Sequence, residues 1–428
     1  MKRLKFLLIA ATAIMPVMAA DIYVHPERGR KGGTKEQPFK YLADALAKAV
    51  PGDVIHLAGG TYNGKGNSGH WVINTDNLTI LGGYDDQFTV RDPFKYAAVL
   101  EFNNGSDNKT TRPAGPEFKA IENAGRKPLA GIVIDGLWID GGNRNKYRED
   151  PTNPSMKLDS SPGDFLLHIK VAKGSKAVVR NCTFMNPGKS AALMVQGEGG
   201  SNFECANNVF VNGVYHHMIV GRLGAKNDAR MKASIHHNSF LFAWHVSANG
   251  EGVVVYPFTE IDFHNNIFAF GESTAIVNDR YEELMDNRGN KTKGVNTTVK
   301  IDNNLFFMWK RGLYGWVETG QSGTRRTTQP DDLWEASIDE SSGNGNAIAD
   351  PGFDYDRSWI ELFASRSDVA DGEVTMDSVN QWRRILGLPL QGTNNPNRQG
   401  YAMRYPREAA LAFRSSKVAD RGASTQTM

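Results

Sequence analysis

Met231-Lys-Ala-Ser-Ile-His-His-Asn-Ser-Phe240 and Thr259-Glu-Ile-Asp-Phe-His-Asn-Asn-Ile-Phe268 decide the fold, because they are two copies of one pattern. Three more copies end at Phe184, Phe210 and Phe306, so the phenylalanines stand 26, 30, 28 and 38 residues apart. Three residues before each Phe is Asn181, Asn207, His237, Asn265 or Asn303. Five before it is Val179, Cys205, Ile235, Phe263 or Ile301, and seven before it Ala177, Phe203, Ala233, Ile261 or Val299. Polar residues alternate with these apolar columns, which marks a strand with one buried face. One copy is too short to bury its own apolar face. Stacked copies make a continuous core, Phe on Phe and Asn on Asn, with the asparagines capping a turn and bonding along a ladder.

A coil of 26–30 residues with short strands and Gly/Asn turns specifies a right-handed parallel β-helix, all-β in class. A propeller blade needs about 40 residues, and a β-sandwich does not repeat one residue type at one offset five times. Asp135-Gly-Leu-Trp138 reads as a sixth copy with Trp in the Phe place, separated from Phe184 by a polar insertion over 141–164.

The rest of the chain divides around this core. Met1 to Lys5 is basic, Phe6 to Met18 is mostly apolar, and Val17-Met-Ala-Ala20 offers a cleavage site, so 1–20 reads as a signal peptide. The protein is then periplasmic or secreted. No later apolar run reaches the roughly 18 residues that span a bilayer, so it is not an integral membrane protein. Residues 21–356 read as the β-helix and 357–414 as a helical cover for its exposed end, with helices at Asp377–Leu386 and Arg407–Phe413. The polar stretch 415–428 reads as a disordered tail.

The 428 residues carry 49 Lys+Arg against 47 Asp+Glu, and three of the positives lie in the leader. That near-neutral balance excludes a broad electrostatic hold on nucleic acid. Two Cys exclude a disulfide scaffold and a Cys-rich zinc module, although export permits a Cys182–Cys205 bond. A monomer is expected.

Asp21-Ile-Tyr-Val-His25, the helix-like Tyr41 to Val50, Gly52-Asp-Val-Ile-His-Leu57, Gly60-Thr-Tyr62 and the closing Asp350-Pro-Gly-Phe353 resemble exported proteins of the pectate-lyase-like β-helix superfamily. The resemblance implies that Leu42, Ala45, Leu46 and Ala49 plug the open end of the first coil. It also implies a sugar groove on the strand after the third turn, walled by that turn's long loops, and cleavage of acidic polysaccharide by β-elimination. No calcium motif or Arg-Pro-x-x-Arg of the pectate lyases is present, so no catalytic residue carries over.

Chemistry is therefore sought in clusters. Six of the ten His fall between His216 and His264, among Arg, Lys, Tyr and Glu. Two faces compete. On the alternating strand before the Asn column stand Lys232, Ser234, His236, Glu260, Asp262, His264, Lys300 and Asp302, whose charges suit mutual ion pairing. On the face after the Phe stand the favoured candidates. Elimination needs a base for the C5 proton, an acid for the leaving oxygen, and a cation or donor on the uronate carboxylate. His217 or His245 is expected as base, Tyr256 as acid, and Arg222 or Arg280 on the carboxylate; Tyr215, Lys189, Glu251, Arg311, Tyr314 and Trp316 are expected to bind sugar. The sequence fixes no cofactor; Ca²⁺ is the one this chemistry accepts. No His-x-x-x-His spacing suggests a metal site. The expected partner is an acidic polysaccharide or oligosaccharide, and the expected activity that of a polysaccharide lyase. The competing reading is a non-catalytic glycan-binding or surface β-helix.

Overall fold

The computed structural model describes residues 19–63, 71–101, 119–123, 127–141, 149–150, 153–157, 165–187, 191–213, 216–222, 229–244, 251–279, 297–309, 311–317, 324–327, 341–354, 359–360, 363, 405–418 and 420–428. Each coil gives one strand to each of three sheets, which hold ten, nine and nine strands. In the middle of the chain the first sheet takes Lys176–Arg180, Asn202–Ala206, Met231–His236, Thr259–His264 and Thr298–Asp302. The second takes Thr183–Met185, Val209–Gly213, Ser239–Ala243, Ile267–Gly271 and Leu305–Trp309. The third takes Ala191–Gly197, His216–Arg222, Val253–Val255, Thr274–Asn278 and Gly312–Val317. Pairing within the three sheets is parallel except where Gly312–Val317 meets Thr324–Thr327. A small antiparallel hairpin, Glu149–Asp150 with Asn153–Lys157, lies within the insertion.

The register is the one the repeat demands. Phe184, Phe210, Phe240, Phe268 and Phe306 pair in sequence. Their rings stack at 4.8, 4.8, 4.7 and 5.3 Å between centroids. All five are fully buried, as are most members of the two apolar columns of the first sheet. Asn181, Asn207, His237, Asn265 and Asn303 all take positive φ, 52–58°, which turns the chain from the first sheet to the second. Asn tolerates this conformation better than most residues, through local side-chain hydrogen bonds.

A second amide ladder runs one residue further on, inside the coil. Asn208 Nδ2 donates to Asn238 Oδ1 (3.0 Å), Asn238 to Asn266 (3.0 Å), Asn266 to Asn304 (2.9 Å) and Asn304 to Asn346 (3.3 Å). Each Oδ1 also accepts the backbone N–H of the preceding coil's ladder residue. Buried amides are thus satisfied by their own repeats. Cys182 occupies the same place in its coil; it and Cys205 are both buried free thiols, so the permitted disulfide is not formed. Burial pushes the Cys182 thiol up to about 12.

Three expectations change. Trp138 is not in the Phe column: it pairs with Thr183, and Ile139 pairs with Phe184. Gly136, at φ 77°, takes the turn place of Asn181, which shifts the copy by one residue. Trp138 Nε1 then donates to the Pro93 carbonyl, 3.1 Å away.

The C-terminal segment, second, does not simply cover an end. The helix Arg407–Ala410 and its 3-10 extension Leu411–Arg414 agree with the expected helix, while 377–386 lies outside the described residues. Trp359, Phe363, Tyr405 and Phe413 pack along the side of the second sheet, in one cluster with Phe242, Trp244 and Phe270. Third, the tail is docked. Asn265 Nδ2 donates to the Asp420 carbonyl (2.8 Å), Asn207 Nδ2 to Gln426 (2.8 Å) and Asn181 Nδ2 to Met428 (3.2 Å). The Met428 N–H returns a bond to Asn181 Oδ1 (3.0 Å). The outer asparagine column is a row of amide heads, and the polar tail runs along it as a partner.

At the other end, the helix Leu42–Lys48 buries Leu42, Ala45 and Leu46 in the main core, with Ala49 packed against it. The signal segment 1–18 lies outside the described residues. No helix among the described residues is long and apolar enough to cross a membrane.

Candidate active site

The corner between the second and third sheets differs from the asparagine corner. Leu166 and Leu167, Ala192 and Leu193, Ala275 and Ile276, and Leu313 and Tyr314 are consecutive residues that both enter the main core. Strict alternation is broken there in coil after coil. In the strand His216–Arg222, the N–H groups of His217 and Met218 both donate to the Gly252 carbonyl, at 3.0 and 3.1 Å. Two amides on one acceptor make a bulge-like kink, and kinks of this kind re-aim side chains. Counting back from inward Val220 and Met218 by twos places His217 outside and His216 inside; the kink reverses them.

His217 is accordingly fully buried, with its ring 6.3 Å from Phe210 and 6.1 Å from Phe240. Burial, then the neighbouring His216, pushes its pKa down to about 3. It cannot meet a substrate from there. His216 instead places Nδ1 3.0 Å from Glu251 Oε2, with the two side chains 13% and 12% exposed. The Ser273 hydroxyl donates to the other carboxylate oxygen, Oε1, at 3.3 Å. The Arg311 N–H donates to the Ser273 carbonyl at 3.2 Å and brings the next coil alongside. The imidazole thus stands at ion-pair distance from a carboxylate whose other oxygen accepts from a hydroxyl.

Beyond this polar edge the outer face of the third sheet becomes apolar. Ala191, Met194, Ile219 and Val254 form one buried cluster, with Phe165 and Tyr256 packed on it. Tyr256 lies at the far end of that face, at least ~10 Å along its strand from Glu251 at ~3.3 Å per residue.

The eleven expected residues divide as follows. Glu251, Arg311 and Tyr256 are on the favoured face. His217, Tyr314 and Trp316 are inside the coil: Tyr314 is 1% exposed and stacks 5.6 Å from Trp316, in the main core. They follow the inward columns Leu193–Met218–Val253–Ile276–Tyr314 and Val195–Val220–Val255–Asn278–Trp316. Arg222 ends its strand opposite Gly197. Lys189, Tyr215, His245 and Arg280 lie outside the described residues. His216 and Ser273 were missed as site members; the adjacent His pair was the signal, but the kink selects its other member.

The histidine density that marks this window in the sequence disperses in space. His236 stacks on His264 at 4.8 Å and 7°, with its Nδ1 3.0 Å from that of His237. This group sits at the edge of the first sheet, where burial and the neighbouring imidazoles push His236 down to about 4. Among the described residues, no group of three or more His, Cys, Asp or Glu is placed to hold a metal ion.

The first sheet carries the other expected face, and it forms a groove of ≈ 580 Å³. Lys176–Glu204 (2.6 Å), Lys232–Glu260 (3.7 Å) and Lys300–Asp302 (2.6 Å) are paired as that reading anticipates.

No protein family and no curated protein matches the chain. Among solved structures it is similar to a crystal structure of pectate lyase Pel9A, at 13% identity over 85% of this chain and 83% of that one, TM-score 0.34. A second is a rhamnogalacturonan lyase, at 10% identity over 87% of this chain and 100% of that one, TM-score 0.31. The fold is a parallel β-helix of three sheets. That statement rests on the strand register.

Proposed function

We propose that the protein is an exported lyase that cleaves a uronic-acid-containing polysaccharide by β-elimination at the polar edge of the third sheet. The observation that carries this reading is the His216–Glu251 contact at 3.0 Å, on an outer face and beside the irregular corner. Glu251, bonded by Ser273, faces the imidazole that acts as the base. His216 takes the C5 proton; that electron pair becomes the C4–C5 double bond as the C4–O bond breaks. The proton then passes from His216 to the leaving oxygen, so no second acid is required. Arg311, whose backbone N–H bonds Ser273 from the next coil, would meet the substrate carboxylate. Tyr256 is too far along the face to serve the same bond and would contact another sugar of the chain. Export is supported by the leader pattern over residues 1–20.

Ultraviolet absorbance of the new conjugated double bond, read over a panel of alginate, pectate, glycosaminoglycans and ulvan, tests this. One polymer should give the signal, and His216→Ala or Glu251→Gln should lower its rate about 10²–10⁴-fold with the melting temperature retained. No signal on any uronate polymer, or full activity in His216→Ala, overturns the lyase; binding without cleavage would leave the glycan-binding protein.

A further inference from the structure

The groove on the first sheet has no part in that chemistry. It runs along the coil axis over the five strands from Lys176–Arg180 to Thr298–Asp302. Four steps of ~4.8 Å give it a length of about 19 Å. One wall is the column Lys176, Asn202, Lys232, Glu260, Thr298. The facing column reads Val178, Glu204, Ser234, Asp262, Lys300, and the short Ser234 opens its centre.

Three ammonium groups and three carboxylates line this channel, so their charges cancel. A polyanion and a polycation therefore each meet as much repulsion as attraction. A hydroxyl both donates and accepts, and suits a surface where donors and acceptors alternate from coil to coil. The existing pairs do not close the groove: Lys232 and Glu260 are 63% and 50% exposed and stand 3.7 Å apart. Exposed pairs of this kind are weak and are readily opened by a ligand. Glu260 and Asp262 line the groove and give it carboxylate acceptors for ligand hydroxyls, as Lys232 and Lys300 give it donors.

We propose that this groove binds an uncharged, hydroxyl-rich glycan chain lying along the coil axis, separately from the third-sheet site. Repeating polar groups at the coil spacing then meet repeating sugars of similar length. The site holds polymer; it contains no reacting pair.

Calorimetric titration of the full chain with gluco-, xylo-, galacto- and mannohexaose, and with oligogalacturonate, tests the proposal. At least one neutral hexaose should bind, with affinity little changed by salt. Ser234→Trp, which fills the groove from its outer face, should weaken binding at least tenfold, and Asp262→Asn several-fold. Absence of binding by every neutral hexaose overturns the site. So does unchanged affinity in both variants, or oligogalacturonate binding that Ser234→Trp removes. Melting temperature checks that each variant folds. Elimination measured on the same samples separates the two faces: Ser234→Trp should retain it, whereas loss in His216→Ala alone tests the lyase and leaves this groove untouched.

Discussion

The two corners of the coil behave differently. Between the first and second sheets the turn repeats closely from coil to coil: one residue at positive φ, an outer amide, and then an inner amide bonded to its neighbours above and below. Between the second and third sheets the connections vary in length, the alternation kinks, and a histidine stands where other coils put Ala or Leu. The first corner is built for stacking, with every group meeting its own copy. The second holds groups that have no copy in the neighbouring coils.

The largest expected effect breaks the stacked side. Phe240 is fully buried between two parallel rings, so Phe240→Ala should lower unfolding free energy by about 3–5 kcal/mol in chemical denaturation. A near-neutral result would mean the column is not the core.

A smaller effect sharpens the contrast at the other corner. His217 is buried with neither ring nitrogen hydrogen-bonded among the described residues. Its pKa is about 3 in the fold against an ordinary 6.5. The unfolded chain takes a proton near pH 6.5 and the folded chain only near pH 3. Stability is therefore full above pH 6.5 and falls as pH drops through that window. His217→Leu, matching Leu313 of the same column, should flatten this slope and raise stability at pH 7 by about 1–2 kcal/mol. His236, pushed to about 4, leaves a residual slope. Denaturation from pH 7 to 4 measures both; an unchanged slope would place the His217 ring in water.

The smallest effect concerns the tail over the asparagine corner. Deleting 420–428 exposes amides of Asn181, Asn207 and Asn265 to water, which replaces most of the lost bonds. A loss of about 0.5–1 kcal/mol is expected. An unaltered denaturation midpoint would show that the tail contributes nothing in solution.

The regular corner was legible because its constraint is local and repeated. Asn at a fixed offset from Phe, and apolar residues two apart, are visible without coordinates. The inner amide ladder is equally present in the sequence, as Asn208, Asn238, Asn266 and Asn304, one residue past each turn. Trp138 shows the limit of copy matching: a glycine can replace the turn Asn and move the frame by one. The site was legible only as a neighbourhood. Glu251 is expected there as a sugar contact and His217 as a base, but alternation cannot foresee two amides sharing the Gly252 carbonyl, which turns His217 inward and leaves His216 beside Glu251.

The sequence by itself determined the coil, its register and its core, because a stacked repeat must satisfy the same contacts at every step and so writes them into every copy. It also determined that charge would alternate on the first sheet. Only the tertiary structure decided which histidine faces out, that Tyr314 and Trp316 face in, and that a polar tail docks on the solenoid side. Each of those depends on a contact made once, between residues far apart in the chain or across a single kink, and a contact made once leaves no period to read.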